Sequence, residues 1–178
     1  MADFKKCLVV VDYQCDFVDG ALGFSGAELL APRIAEKIKA YRAEGGEVIF
    51  TFDTHGEDYA YTQEGRNLPV AHCIGGTPGH SLFGEIAGLI CESDQKFFKN
   101  TFGSDGLYGY LKEHQFSQIE LVGLVSNICV LANAVLAKTA QPETPVIVDA
   151  ACTASFDAHF NAAALDVMEG LQVKVINR

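Results

Sequence analysis

The stretch IELVGLVSNICVLANAVLA, residues 119–137, changes character at its middle. Up to Gly123 it is a short continuous apolar run, the pattern of a strand buried on both faces. Beyond "LVSN" the apolar residues continue over 127–138, long enough for a helix, with Ser126 or Asn127 placed to cap it. The same alternation recurs outward in both directions. "CLVVV" precedes Asp12, "EVIFTF" leads into Asp53, "PVIV" precedes Asp149 and "VKVI" lies near the end. Between these runs, 27–44, 105–113 and 157–169 have helical spacing, the first closed by "GG" and the last by Gly170. Strand and helix in succession predict a three-layer α/β domain, a mainly parallel sheet with right-handed crossovers and helices on both faces. Ligands of such a sheet gather at the carboxyl ends of its strands.

A chain of 178 residues fits one domain, 1–178, able to bury roughly 70% of its unfolded surface. Thirteen basic residues against 23 acidic ones give a formal charge of -10, a field that repels phosphate backbones and anionic membranes. Nucleic acid and membrane are therefore not expected as partners. The N-terminal stretch shows no cleavage signal and no apolar run approaches a membrane span, so a soluble cytoplasmic protein is expected. The six cysteines are scattered with no CxxC pair, which speaks against both a disulfide framework and a zinc ribbon.

Cys129 falls in the first turn of the helix that follows the 119–123 run. Backbone N–H groups and the positive end of the helix dipole there favour thiolate over thiol. Two roles fit it, a reactive thiol or a small apolar side chain on a helix apolar nearly all round. Asp12 ends a buried strand, where desolvation raises a carboxyl pKa and a base is useful; a turn or capping role fits as well. Lys99, flanked by aromatics in "KFFKNTF", is either a partly desolvated ammonium or a surface lysine.

The segment 53–83 is too long for a plain connection and holds three of the five histidines. Asp53, His55, Glu64 and His72 are imidazole and carboxylate donors of the kind that suit zinc, iron or manganese, or else a solvated set with Asp53 as a cap. "GGTPG", 75–79, lacks the Lys-Ser/Thr of a phosphate loop and reads as a tight turn.

Together, "VVVDYQCDF", "FTFDTHGEDY", "LPVAHCIGGTPG", "FFKNTF" and "GLVSNICV" resemble, in order and over nearly the whole chain, the isochorismatase-like cysteine hydrolases, and among these the nicotinamidases. The resemblance implies a six-stranded, mainly parallel sheet carrying a triad of Asp12, Lys99 and Cys129. Asp12 takes the thiol proton, Lys99 holds the charged pair, and the thiolate attacks an amide carbonyl to give a thioester. Backbone N–H groups of Val125 and Cys129 form the oxyanion hole, beside a cis peptide joining Leu124 to Val125. One divalent metal ion (zinc, iron or manganese) is implied on Asp53, His55 and His72, with Glu64 at a place that varies among members. Phe17 matches the aromatic lining the ring pocket, whereas Leu68 stands in a stretch that is often aromatic. Members commonly form dimers or tetramers.

The implied reaction is nicotinamide plus water to nicotinate and ammonia, which supplies NAD salvage. A related amidase for another small amide, ureide or carbamoyl compound is the alternative within enzymes, separable by a substrate panel with and without chelator. A catalytically silent binding or oligomerisation module is the alternative outside them, separable by thioester trapping.

Overall fold

A computed structural model describes residues 4–178 of the protein; residues 1–3, part of the N-terminal stretch read above, lie outside the described residues. The elements follow in the order β1 (Lys6–Val11), α1 (Cys15–Val18), α2 (Ala31–Ala43), β2 (Glu47–Asp53), α3 (Gln63–Asn67), α4 (Gly84–Ala87), β3 (Gln95–Lys99), α5 (Asp105–Glu113), β4 (Gln118–Leu124), α6 (Leu131–Ala140), β5 (Val146–Ala154), α7 (Ala158–Gly170) and β6 (Lys174–Ile176). The six strands form one sheet in the order β3-β2-β1-β4-β5-β6, every neighbouring pair parallel.

The strand runs are continuous because both sheet faces are covered. Leu8 and Val10 of β1 point into a layer with Ile34, Ala35 and Ile38 of α2, while Cys7, Val9 and Val11 point into a layer built with α5, α6 and α7. Each fully buried side chain of this size contributes roughly 1.5–3 kcal/mol, so either face alone outweighs the weak propensity of any one strand. The chain order reverses direction between β1 and β4. That switch point opens a crevice at the strands' carboxyl ends. There Gly123 pairs with Val11 at φ +111°, and a Cβ on it would stand 2.0 Å from the Val11 carbonyl oxygen.

Three features differ from the sequence expectation. The helix expected over 27–44 begins as a 3₁₀ turn, Ala27–Leu30, because Pro32 has no N–H to give to the Glu28 carbonyl; the α-helix proper is Ala31–Ala43. The helix that carries Cys129 begins as a π-helical turn, Ser126–Val130, with Val130 N–H bonded to the Val125 carbonyl at 3.2 Å. No side chain caps it, because the N-cap position falls on Val125; Ser126 lies inside the turn and its hydroxyl donates to Asn161 Oδ1 on α7 at 2.6 Å. The sixth strand, β3, has no continuous apolar run: it is an edge strand with Phe98 exposed. Among the described residues no helix is long and apolar enough to cross a membrane.

Candidate active site

The switch point collects side chains from three separate segments. Asp12 follows β1, Lys99 ends β3 and Cys129 sits in the π-helical turn after β4. Lys99 Nζ lies 2.7 Å from Asp12 Oδ2, 3.5 Å from Asp53 Oδ1 and 3.7 Å from Cys129 Sγ. All three side chains are buried, and Asp12 holds a left-handed backbone (φ 44°) that turns it out of the strand. Thr51 donates to Asp12 Oδ1 at 2.7 Å and fixes the carboxylate from β2. The Leu124–Val125 peptide at the end of β4 is cis.

Burial raises the Asp12 carboxyl above the usual carboxylate range despite the Lys99 ammonium beside it. For Lys99, burial acts to lower the pKa, but Asp12, Cys129 and Asp53 overcome it and the side chain stays charged. The Cys129 thiol is pushed well up by burial and by the Asp12 charge, against the pull of Lys99. The shift runs against the expectation that the helix start favours thiolate, because burial disfavours the charged sulfur. A thiol pushed up in this way needs a base beside it before it can act as a nucleophile.

Next to it stands a second cluster. Asp53 Oδ2 lies 3.1 Å from His55 Nε2 and 3.3 Å from His72 Nε2, and Glu64 Oε1 lies 3.8 and 3.7 Å from the same nitrogens. Tetrahedral ligands at about 2.0–2.1 Å from one ion stand roughly 3.3 Å apart; the two contacts of Asp53 have that spacing, and all three donors lie within 4.8 Å of one another. His72 Nδ1 donates to the Val70 carbonyl at 2.8 Å, which orients the ring so that Nε2 faces the cluster, the second contact that metal-binding histidines usually make. Hydrogen bonds from both imidazoles and the Lys99 charge overcome burial and hold Asp53 well below the usual carboxylate range. His80, the third histidine of the segment, lies outside the cluster: it pairs with Thr54 Oγ1 at 2.8 Å and stacks on Phe98. "GGTPG" makes tight turns, Thr77 N–H to the Ile74 carbonyl at 3.1 Å among them.

Between the two clusters is an apolar cavity. Phe17 and Leu68 line it, together with Phe102, Val125 and Ile128, and Cys129 and Asp53 open onto it. Phe17 also packs against the His72 ring at 5.5 Å between centroids.

Several residues that hold the site were not singled out from sequence. Gln14, buried, accepts from Asp53 N–H at 2.8 Å and donates to the Asp53 carbonyl at 2.9 Å; its only signal was the motif D-x-Q. Asp16 Oδ2 accepts from Cys73 N–H at 2.7 Å, tying α1 to the chain beside His72. Tyr59 sets its ring edge-on to both His55 and His72 and donates to the Leu68 carbonyl at 2.9 Å. Asn133, fully buried, donates to the Cys129 and Phe102 carbonyls at 2.8 and 3.2 Å and accepts from Ser104 N–H at 3.0 Å. It links the nucleophile turn to the cavity wall.

A doubly wound sheet with a thiol, a carboxylate and an ammonium in contact at its switch point is the arrangement of a cysteine hydrolase. The Isochorismatase domain model matches residues 6–178, and the chain belongs to that family. It is 31% identical to the isochorismatase family protein PncA of Bacillus subtilis over 90% of this chain and 92% of the relative. It is 27% identical to a nicotinamidase/pyrazinamidase of Mycobacterium tuberculosis over 96% of this chain and 98% of the relative. The crystal structure of a pyrazinamidase/nicotinamidase from Streptococcus mutans superposes with a TM-score of 0.86 at 26% identity, covering 97% of this chain and all of that one.

Proposed function

We propose that the chain is a cysteine amidase that hydrolyses the carbon–nitrogen bond of nicotinamide, giving nicotinate and ammonia. The observation that carries this is the contact of Lys99 with both Asp12 and Cys129 in one buried site. Relatives along the whole chain are named as nicotinamidases, which supports the substrate.

Asp12 takes the thiol proton as Sγ adds to the amide carbonyl. A base is needed because burial keeps the resting sulfur protonated. Lys99 stays charged beside both, so the negative charge moves from carboxylate to sulfur within reach of a fixed ammonium. Backbone N–H groups of Val125 and Cys129 receive the oxyanion. Asp12 then returns the proton to the departing nitrogen, ammonia leaves, and a thioester remains on Cys129. Water, deprotonated by Asp12, adds to the thioester and releases nicotinate with the thiol restored.

Asp53, His55 and His72, with Glu64, hold one divalent ion of the zinc, iron or manganese type, which when bound supplies a Lewis-acid contact for the pyridine nitrogen. Phe17 and Leu68 flank the ring within the apolar cavity. The product supports NAD salvage in the cytoplasm, and the enzyme works as a homo-oligomer, dimer or tetramer, for which the exposed Val135 on the alanine-rich α6 offers an apolar contact.

The test is ammonia release and nicotinate formation followed by mass spectrometry. Turnover is expected with the wild-type protein and none with Cys129→Ala; unimpaired turnover by that variant overturns the nucleophile.

A further inference from the structure

The metal donors stand between two cavities of opposite character. One is the apolar cavity, reached by Asp53, Glu64 and His72. The other, also bordered by Glu64, is lined by polar groups that include Thr54, His55, Asp58, Asn100 and Thr101. Glu64 is the one donor that lines both.

The donors also differ in their access to water. The Glu64 side chain is 19% exposed, against 6% for Asp53, 4% for His55 and 2% for His72. An ion arriving from solvent therefore meets Glu64 first. Its mounting is rigid: Thr62 caps α3 by accepting from Gly65 N–H at 3.0 Å and donates to the Tyr59 carbonyl at 2.7 Å. Gly65 also lies so close to Tyr59 that an added Cβ would stand 2.0 Å from that carbonyl. The backbone under Glu64 is thus fixed, and its carboxylate reaches to 3.8 and 3.7 Å from the His55 and His72 nitrogens.

A divalent ion gives up its water only where other polar donors, oxygen or nitrogen, replace it. Hydroxyls, amides and carboxylates on the polar side can do so step by step; Phe17, Leu22, Phe102, Val125 and Ile128 on the other side cannot. A neutral aromatic amide has the reverse preference, since burying its ring is favourable and its single amide needs few partners.

We propose that the site has two entrances: the divalent ion enters and leaves through the polar cavity, handed in by Glu64, while the amide enters through the apolar one. This rests on the metal set of the proposed function. The test is the rate at which zinc-loaded protein loses its ion to excess chromogenic chelator, read by absorbance, beside the KM for nicotinamide.

Thr101→Trp, and independently Gln63→Trp, place bulk in the polar cavity. Each is expected to slow zinc release about tenfold, equivalent to roughly 1.4 kcal/mol of barrier, with KM unchanged. Phe102→Trp is expected to raise KM and leave the release rate alone. Two polar-side variants that both leave release unchanged, or release that slows only in Phe102→Trp, overturn the two-entrance proposal while the metal reading stands. A protein that takes up no zinc overturns both.

Discussion

The triad and the donor cluster touch through Asp53 and Lys99, yet they are positioned by different means. Asp12, Lys99 and Cys129 sit at or just beyond the ends of β1, β3 and β4, strands of one sheet fixed by a ladder of backbone hydrogen bonds and two buried layers. His55, Glu64 and His72 lie in a long segment with little regular structure, tied by Asp16 to the Cys73 N–H and by Tyr59 to the Leu68 carbonyl, while Gln14 holds the backbone of Asp53 where that segment leaves β2. The lesson is one of redundancy. A residue fixed by a sheet is held by many weak contacts, whereas one fixed by a loop is held by two or three strong ones.

Removing the reacting atom separates the two regions most sharply. Cys129→Ala is expected to lower kcat by at least about 10³-fold while zinc stoichiometry stays that of the wild type, measured by elemental analysis. Gln14→Leu attacks the other region: with the Asp53 backbone unsupported, zinc affinity is expected to fall about 10–100-fold, as when other partners behind a metal ligand are lost. Alkylation of Cys129 by iodoacetamide should proceed at the wild-type rate in that variant; a large change would mean the regions are not separately held.

A smaller effect is expected at the seam between nucleophile and pocket. Asn133→Leu releases Phe102 and Ser104 from the Cys129 turn, and steady-state kinetics should show KM raised about fivefold, near 1 kcal/mol, with kcat little changed. The smallest effect is on pH dependence. Asp12 acts as a carboxylate, so kcat/KM rises with pH through its pKa, which burial sets above the ordinary value. Thr51→Val removes a hydrogen bond that favours the charged form, and the acid limb should move to higher pH by less than about one unit.

The same contrast decides how much was legible in the sequence. Asp12 and Cys129 announce themselves because each follows an apolar run that only a buried strand explains. Lys99 does not, because the edge strand QKFFK leaves Phe98 in solvent and lacks that run; its place came from the family motif. Local reasoning failed where a distant partner intervened. Ser126 has the residue type and spacing of a cap but bonds to Asn161, 35 positions away. The thiol at a helix start is pushed up first by its burial and then by the charge of a carboxylate from another strand. Gln14 and Asn133 act through bonds to backbone far along the chain, and such bonds leave no periodicity to read.

The close approach of Gly123 to Val11 carries a consequence for how this scaffold diversifies. Because bare backbone meets bare backbone there, the gap separating base from nucleophile is set by the main chain rather than by any side chain that mutation can trim. Phe17, Leu68 and Phe102 project into the cavity away from that contact, so its shape can be recut for other rings while the reacting distance is inherited unchanged.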